Sequence, residues 1–378
     1  MPMKGSLRIN LSPPHPLSAP TTNIHHRLRE LLELHFPPEG GSTYWLERQH
    51  RLGWQVRDRI RTMDDVWLLG PTPSEDLHRY SYRAFIPQSL HHQRARLILG
   101  ETIGANGEPY ATAYRDDEFQ AAFVNPFLRV AEANHFPRAK PWLWVGPSGP
   151  HIIGKVVREL ARQTGSMDPF SIDFDLRLVN SLPEGSLARQ RYLEHVLEQA
   201  MHVIRREEIR VLVSHPSTLA AMLERLRDHE RELIRGIYHV GNALTPEMMN
   251  QFRQAFPHAV HLAGYGNTLF GVVMEVQDQR REAMDFFPLG DRVQFSLALA
   301  EQEFGFLSPP RFCDRRETGR LLFHRLDQSC LLVNVFARDQ AERIAPTETA
   351  RELGGRADGF RNPSSYPQSQ RDVPVTLH

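Results

Sequence analysis

The sequence contains little cysteine and no excess of charge of either sign. Cys313 and Cys330 are its two cysteines, too few for a disulfide framework or for a zinc site built from cysteines. The 45 Lys and Arg residues balance 45 Asp and Glu residues, which argues against a strongly basic nucleic-acid-binding protein. We therefore expect no nucleic-acid partner.

Long hydrophobic runs are also missing. No apolar run approaches the ~18 residues that a transmembrane helix needs. The N-terminal segment MPMKGSLRINLSPPHPLSAP has no apolar stretch of signal-peptide length. We therefore expect a cytoplasmic protein without a membrane partner.

The composition is that of a globular protein, with 40% hydrophobic and 24% charged residues in a chain of 378. We expect a loose leader over residues 1–22, which is rich in Pro and Ser, and a main domain over 23–345. A hinge-like segment should follow over 346–360. Residues 361–378 are too polar to pack and should form a disordered tail.

The middle of the chain alternates apolar strands with amphipathic helices. The strand segments are PWLWVG, IRVLVSH, IRGIYHVG and AVHLAG. This pattern indicates a parallel sheet covered by helices on both faces, in which ligands bind beyond the carboxyl ends of the strands. The segments SHP (214–216), GNALT (241–245) and GYGNT (264–268) follow three of these strands, so we expect them to meet. Later, GRLLFHRL and LLVNVFARD indicate two paired strands.

The stretch LGETIGANGEPYATAYRDDEF, residues 99–119, has two interpretations. Asn106-Gly107 between two strand-like segments predicts a β-hairpin, because both turn positions favour residues that tolerate positive φ. The stretch could instead wrap nucleotide phosphates. It does not match the common GxxxxGK[ST] loop, since Gly104 and Gly107 are three apart and Glu108 stands where lysine is needed.

The order and spacing of several motifs resemble a known family. From about residue 80 to 360 the chain carries TIGANGEP, GNALT, YGNT, FARD and GGRADGF. This series resembles the adenylate-forming enzymes, in particular the phenylacetate–CoA ligase-like branch. The resemblance implies an α/β fold with helix-covered parallel sheets and a smaller β-rich subdomain. It also implies that the phosphate loop is a hairpin turn, which makes the two interpretations of residues 99–119 compatible.

The resemblance implies ATP-dependent activation of a small carboxylic acid, with aromatic acids as candidates. The acyl-adenylate would be passed to CoA, a carrier-protein thiol or an amine. The matching positions imply catalytic roles for Thr268 and Arg356. They imply ATP binding by Thr102, Gly104, Gly107, Gly241, Asn242, Ala243, Tyr265, Gly266 and Asp339.

Each carried-over role has a simpler alternative. Tyr265 could stack on adenine or be a core aromatic at a strand end. Asp339 could hold the ribose or form an ion pair with Arg338. Thr268 could contact phosphate or cap a turn, and Arg356 could belong to a hinge or be a solvated charge.

Several departures from the family weaken the catalytic interpretation. Glu108 replaces the loop lysine, and Leu269 replaces the glutamate that the family uses at Mg²⁺, a metal that needs oxygen ligands. The chain also ends about twenty residues after the hinge motif, where the family continues with a small domain of about a hundred residues. We therefore expect that a separate protein supplies this domain, that the protein works without it, or that it is a degenerate homologue that binds ligands without catalysis.

Other residues could contribute to a site. His151 could face an acyl pocket or cap the following helix, and the cap is the favoured interpretation. Cys330 could accept an acyl group, but a cysteine in a strand is more often buried and inert. His258 and His261 should point to opposite faces of a strand, which disfavours a shared metal.

Overall fold

A computed structural model describes residues 24–103, 109–241, 244–276, 283–299 and 310–367. The predicted leader, residues 1–22, lies outside this part of the chain. The helices are α1 (Ile24–His35), α2 (Thr43–Leu52), α3 (Val56–Arg59), α4 (Ser74–Arg79), α5 (Tyr82–Phe85), α6 (Asp116–Phe119), α7 (Asn125–Ala133), α8 (Ile152–Gln163), α9 (Leu176–Ser181), α10 (Leu187–Arg206), α11 (Pro216–Leu223), α12 (Asp228–Leu233), α13 (Pro246–Ala255) and α14 (Glu348–Glu352). None of these described helices is both long and apolar enough to cross a membrane.

The described strands form a two-stranded hairpin and an eleven-stranded sheet. The hairpin strands are β1 (Ile98–Ile103) and β2 (Pro109–Tyr114). The strands of the large sheet are β3 (Trp142–Gly146), β4 (Phe170–Asp173), β5 (Val211–Ser214), β6 (Gly236–Val240), β7 (Val260–Asn267), β8 (Gly271–Glu275), β9 (Asp285–Phe287), β10 (Val293–Ala298), β11 (Thr318–Leu326), β12 (Leu331–Ile344) and β13 (Gly359–Ser365).

One half of the large sheet is parallel, as the alternating pattern predicted. Its strands lie in the order β4-β3-β5-β6-β7. Trp144 and Tyr238 point to the face covered by α7 and α8, while Leu143 and Val145 point to the face covered by α10, α11 and α13. Because consecutive side chains alternate between faces, the strand WLWVG is buried on both sides.

Local chemistry explains where the helices of this half begin. Thr245 caps α13, since its hydroxyl accepts a hydrogen bond from the Met248 amide at 3.2 Å. Pro246 follows at the first helical position, where no amide hydrogen bond is lost.

The other half of the sheet is antiparallel and continues from β7. Its order is β8-β9-β13-β12-β11-β10, and it contains the predicted β11–β12 pair. This half corresponds to the smaller β-rich part that the resemblance implied. The large apolar cluster of the protein runs from Leu28 in α1 to Phe360 in β13, so the first helices and the last strand share a core.

The predicted start of a disordered tail at residue 361 was wrong. Strand β13 extends to Ser365 and pairs with β12 on one side and with β9 on the other. Arg361 donates hydrogen bonds of 2.7 and 2.8 Å to the Asp285 carboxylate. Backbone pairing and this ion pair order a segment whose own apolar content is low. The remainder of the predicted tail, residues 368–378, lies outside the described chain.

Candidate active site

A cavity of about 590 Å³ lies at the carboxyl ends of β3, β5, β6 and β7. The cavity is lined by His215 after β5, by Gly241 after β6, and by Gly264, Gly266, Asn267 and Thr268 at the end of β7. The three segments that the sequence predicted to meet therefore do so. Parallel strands present their carboxyl ends at one edge, which explains why residues distant in sequence converge there.

Gly241 and His215 shape the floor between two of these segments. Gly241 has a φ of +98°, and a Cβ atom there would lie 2.5 Å from Cδ2 of His215. The His215 side chain caps α11 by accepting a hydrogen bond from the Ser217 amide at 3.4 Å. The helix cap fixes the imidazole, and the imidazole leaves room only for glycine at 241.

The β1–β2 hairpin closes another side of the cavity. Glu101 and Thr102 line it, as does Thr268, whose hydroxyl donates to the Glu101 carbonyl at 3.5 Å. The Glu101 amide in turn donates to the Pro150 carbonyl at 3.0 Å. The hairpin strands confirm the predicted hairpin, and they bring Thr102 and Thr268 to the same cavity.

Most of the remaining lining is apolar. It comes from β3, α8, β6 and the helices α10 and α11. These residues are Trp144, Val145, Ile152, Ile153, Val156, Leu193, Val196, Leu197, Ala221, Tyr238 and Val240. An apolar chamber beside a few polar groups is the usual composition of a small-molecule pocket.

His151 faces this cavity, so the favoured interpretation as a structural cap was wrong. It occupies the N-cap position of α8 but makes no side-chain capping hydrogen bond. Burial, followed by the nearby Arg177 guanidinium, lowers the pKa of His151. Its imidazole is therefore neutral near pH 7 and can act as a polar group in the cavity without adding charge.

Tyr265 and Asp339 form a buried pair away from the described lining. The Tyr265 hydroxyl donates to the Asp339 carboxylate at 2.7 Å, and the two residues are 2% and 8% exposed. The Tyr265 ring packs against Phe270, Phe286 and Phe360, and burial raises its pKa well above the ordinary value. In this structure Tyr265 is a core aromatic at the end of a strand, as the simpler alternative predicted, and neither face of its ring is open to an adenine.

Arg338 lines the cavity, although the motif comparison had selected its neighbour Asp339. The two are consecutive residues of β12, and side chains alternate between the faces of a strand. One of them must therefore point to the cavity side and the other to the core. Burial lowers the pKa of Arg338, but the guanidinium remains charged at neutral pH.

Leu269 is 4% exposed and belongs to the large apolar cluster. In the described ranges no group of three or more His, Cys, Asp or Glu side chains could hold a metal ion. Leu269 therefore cannot supply an oxygen ligand to Mg²⁺.

The hinge-like segment does not reach the cavity. Arg356 is exposed, and Asp358 accepts hydrogen bonds from Arg343 at 2.9 Å and from Arg315 at 3.0 Å. Arg356 thus has the position of a solvated charge in this structure. Cys330 is also remote from the lining, and burial raises its pKa to about 11, which keeps its thiol protonated and inert.

The structure brings together Thr102, Gly241, Gly266 and Thr268 among the site residues predicted from sequence. Other predicted site residues lie outside the described chain, and their roles stay predictions. They are Gly104, Gly107, Asn242 and Ala243, together with Glu108 at the family's lysine position.

Solved structures of 2-hydroxyisobutyryl-CoA ligase are similar to this chain. The ligase in its postadenylation state with R3-HIB-AMP gives a TM-score of 0.62 at 12% identity and covers 89% of this chain. An open conformation with 2-HIB-AMP and CoA gives 0.60 at 12% identity and covers 91% of this chain. No family model and no curated protein sequence matches. The chain has the adenylate-forming-enzyme fold.

The adenylate-forming fold accounts for the position of the cavity. This chain spans 65% of the length of the postadenylation-state ligase and 68% of the open-conformation ligase. At 12% identity the likeness concerns the fold alone, and the chemistry of the site must be argued from its own residues.

Proposed function

We propose that this protein activates a small carboxylic acid as an acyl-adenylate. The observation that carries the proposal is the cavity at the carboxyl ends of the parallel strands. Its lining combines polar groups from the hairpin, the end of β7 and β12 with mostly apolar side chains. This arrangement suits a molecule with a charged part and an apolar part, such as a nucleotide joined to an acyl group.

In the proposed reaction a carboxylate oxygen attacks the α-phosphorus of ATP, and the bond to the pyrophosphate oxygen breaks as pyrophosphate leaves. Thr102 and Thr268 offer hydroxyl groups, and Arg338 offers a positive charge that can oppose the charge of the phosphates. No step is assigned to magnesium, because Leu269 offers it no oxygen ligand and the described residues contain no group of three or more His, Cys, Asp or Glu side chains that could hold a metal ion.

The apolar chamber would hold the organic part of the acid. Trp144, Val156 and Tyr238 supply large apolar surfaces, and the neutral His151 imidazole supplies a hydrogen-bonding group. An aromatic or branched acid without a second charge fits this lining.

The chain would pass the acyl group to CoA, a carrier-protein thiol or an amine, with AMP as the leaving group. CoA is supported by the similar structures of 2-hydroxyisobutyryl-CoA ligase in complex with 2-HIB-AMP and CoA. Because the reaction consumes ATP, we propose a cytoplasmic location.

Binding without catalysis is the second candidate function. The buried Leu269 and the buried Tyr265–Asp339 pair favour it, since the family's magnesium and adenosine contacts would need these positions open. Such a homologue would bind a nucleotide, an acyl ligand or a partner protein in the same cavity.

Carboxylate-dependent ATP–pyrophosphate exchange distinguishes the two functions. Aryl and short aliphatic acids are supplied with Mg²⁺, and ATP and AMP are titrated separately by calorimetry. Exchange that depends on one of the acids and weakens in Arg338→Ala supports the enzyme. Arg158→Ala is the matched control, because Arg158 lies on the exposed side of α8 and pairs with Asp168 at 2.7 Å. Nucleotide binding without exchange favours the second candidate, and the absence of both contradicts the adenylation proposal.

A further inference from the structure

The turn between β7 and β8 is held by three consecutive backbone carbonyls. The Thr268 carbonyl accepts a hydrogen bond from the Tyr114 hydroxyl at 2.7 Å. The Leu269 carbonyl accepts one from Arg325 at 3.1 Å, and the Phe270 carbonyl accepts one from Arg292. All three donors are buried side chains from other parts of the chain.

The amides of the same turn are also bound. The Asn267 side-chain oxygen accepts hydrogen bonds from the Leu269 amide at 2.9 Å and from the Phe270 amide at 3.1 Å. Both backbone carbonyls and backbone amides of this short segment are thus hydrogen-bonded to side chains. The backbone that carries Thr268 into the cavity has little freedom to move.

Arg325 joins this turn to the β1–β2 hairpin. Its guanidinium donates to the Thr112 hydroxyl at 2.8 Å and to the Ala113 carbonyl at 2.7 Å, in addition to Leu269. The guanidinium carbon lies 3.8 Å from the centre of the Tyr114 ring. The planar Arg325 guanidinium therefore bonds both to the hairpin that carries Thr102 and to the turn that carries Thr268.

A buried carboxylate orients the two arginines. Asp327, which is fully buried, accepts from Arg325 Nε at 2.6 Å and from Arg292 at 3.3 Å. A third arginine, Arg27, approaches the same carboxylate at 3.8 Å. Buried ion pairs contribute little net stability compared with apolar packing, so their value here lies in geometry.

We propose that Arg325 and Tyr114 are positioning residues that set the distance between the β1–β2 hairpin and the β7–β8 turn. They thereby set the shape of the part of the cavity that Thr102 and Thr268 line. They touch the backbone of the site and act through Thr268. The effect on nucleotide binding rests on the proposed function, whereas the effect on the turn does not.

The test compares Tyr114→Phe and Arg325→Lys with the wild type by hydrogen–deuterium exchange and by AMP titration. Tyr114→Phe removes only the hydroxyl, so exchange of peptide 266–272 should become about tenfold faster. AMP affinity should fall several-fold. Arg325→Lys should have a larger effect, because a lysine cannot reach Thr112, Ala113 and Leu269 together.

Tyr44→Phe is the matched control. Tyr44 is equally buried, and its hydroxyl donates a hydrogen bond of 2.9 Å to the Asp76 carboxylate. Neither residue belongs to the cavity lining. The proposal holds if Tyr114→Phe accelerates peptide 266–272 while its thermal midpoint stays close to that of Tyr44→Phe. It is overturned if that peptide exchanges as in the wild type, or if all peptides accelerate equally.

The AMP titration separates this proposal from the proposed function. A wild-type protein that binds neither AMP nor ATP contradicts the function, while the exchange data still decide the positioning role. If Tyr114→Phe binds AMP as tightly as the wild type although its turn exchanges faster, the proposed effect of the turn on nucleotide binding is overturned.

Discussion

Gly241 has a backbone conformation and a neighbour that together exclude a side chain. Gly241→Ala should destabilise the protein by about 1–2 kcal/mol, because φ is +98°. The new methyl group would also displace His215, whose Cδ2 lies 2.5 Å from the Cβ position. We therefore expect AMP binding to weaken about tenfold, which is the equivalent of 1.4 kcal/mol.

Gly165→Ala is the control for this prediction. Gly165 follows α8 with a φ of +79°, and no atom lies within 4 Å of its Cβ position. It carries the same conformational strain without the collision. Equal losses of AMP affinity in the two variants would show that the His215 contact does not shape the site.

Leu269 occupies the position of a metal-binding glutamate in the family but packs in the core. Leu269→Glu should therefore not raise ATP–pyrophosphate exchange, and it should lower the free energy of unfolding by about 3 kcal/mol or more. Urea denaturation and the exchange assay measure the two effects. Leu269→Met, which conserves volume, should lose less than about 1.5 kcal/mol. Increased exchange in Leu269→Glu would mean that this position faces the metal after all.

Motifs in the sequence identified the right loops but not the direction of every side chain. Gly241, Gly266 and Thr268 lie in the cavity because they follow parallel strands, a pattern that apolar alternation reveals. Arg338 and Asp339 differ only in the face of β12 on which they lie. That choice depends on the register of β12 in the whole sheet, which no local pattern contains.

At the scale of elements, the segment after α14 is held against the sheet. Asp358→Asn should weaken its contacts with the half-exposed Arg343 and the exposed Arg315, and because solvent screens both pairs the loss of global stability should be small. We expect faster hydrogen–deuterium exchange over residues 354–365, while Arg356→Ala should exchange as the wild type does. The opposite pattern would indicate a hinge in which Arg356, not Asp358, fixes the segment.

Four of the five parallel strands could be predicted from sequence, whereas β4 and several antiparallel strands could not. The former are continuous apolar runs, and each alternates with an amphipathic helix. Strand β9 has three residues, and β13 is polar and contains Pro363. Both acquire order from their neighbours in the sheet, so their sequences alone carry a weak signal.

At the scale of the whole molecule, several histidines are buried without charge. Burial lowers the pKa of His35 to about 3 and that of His324 to about 4. Burial, with a contribution from His261, also lowers the pKa of His239 well below 6.5. The ring nitrogens of His239 and His261 lie 3.0 Å apart, and a hydrogen bond between them requires that at least one ring is neutral.

Acidification should therefore unfold this protein. Below pH 6.5 the unfolded chain takes up protons that the folded chain cannot accept, so stability is complete above pH 6.5 and is lost as pH falls towards the folded pKa values. Each buried histidine should lower the free energy of unfolding by about 1.4 kcal/mol per pH unit. Urea denaturation between pH 7.5 and 5 measures this slope. His324→Gln should reduce the slope by about one proton, because glutamine does not titrate. The glutamine side chain can still accept the hydrogen bond from the Asn334 amide, which preserves the local structure. The control is His202→Gln, at an exposed position, which should leave the slope unchanged. Equal slopes in His324→Gln and the wild type would contradict a neutral buried His324.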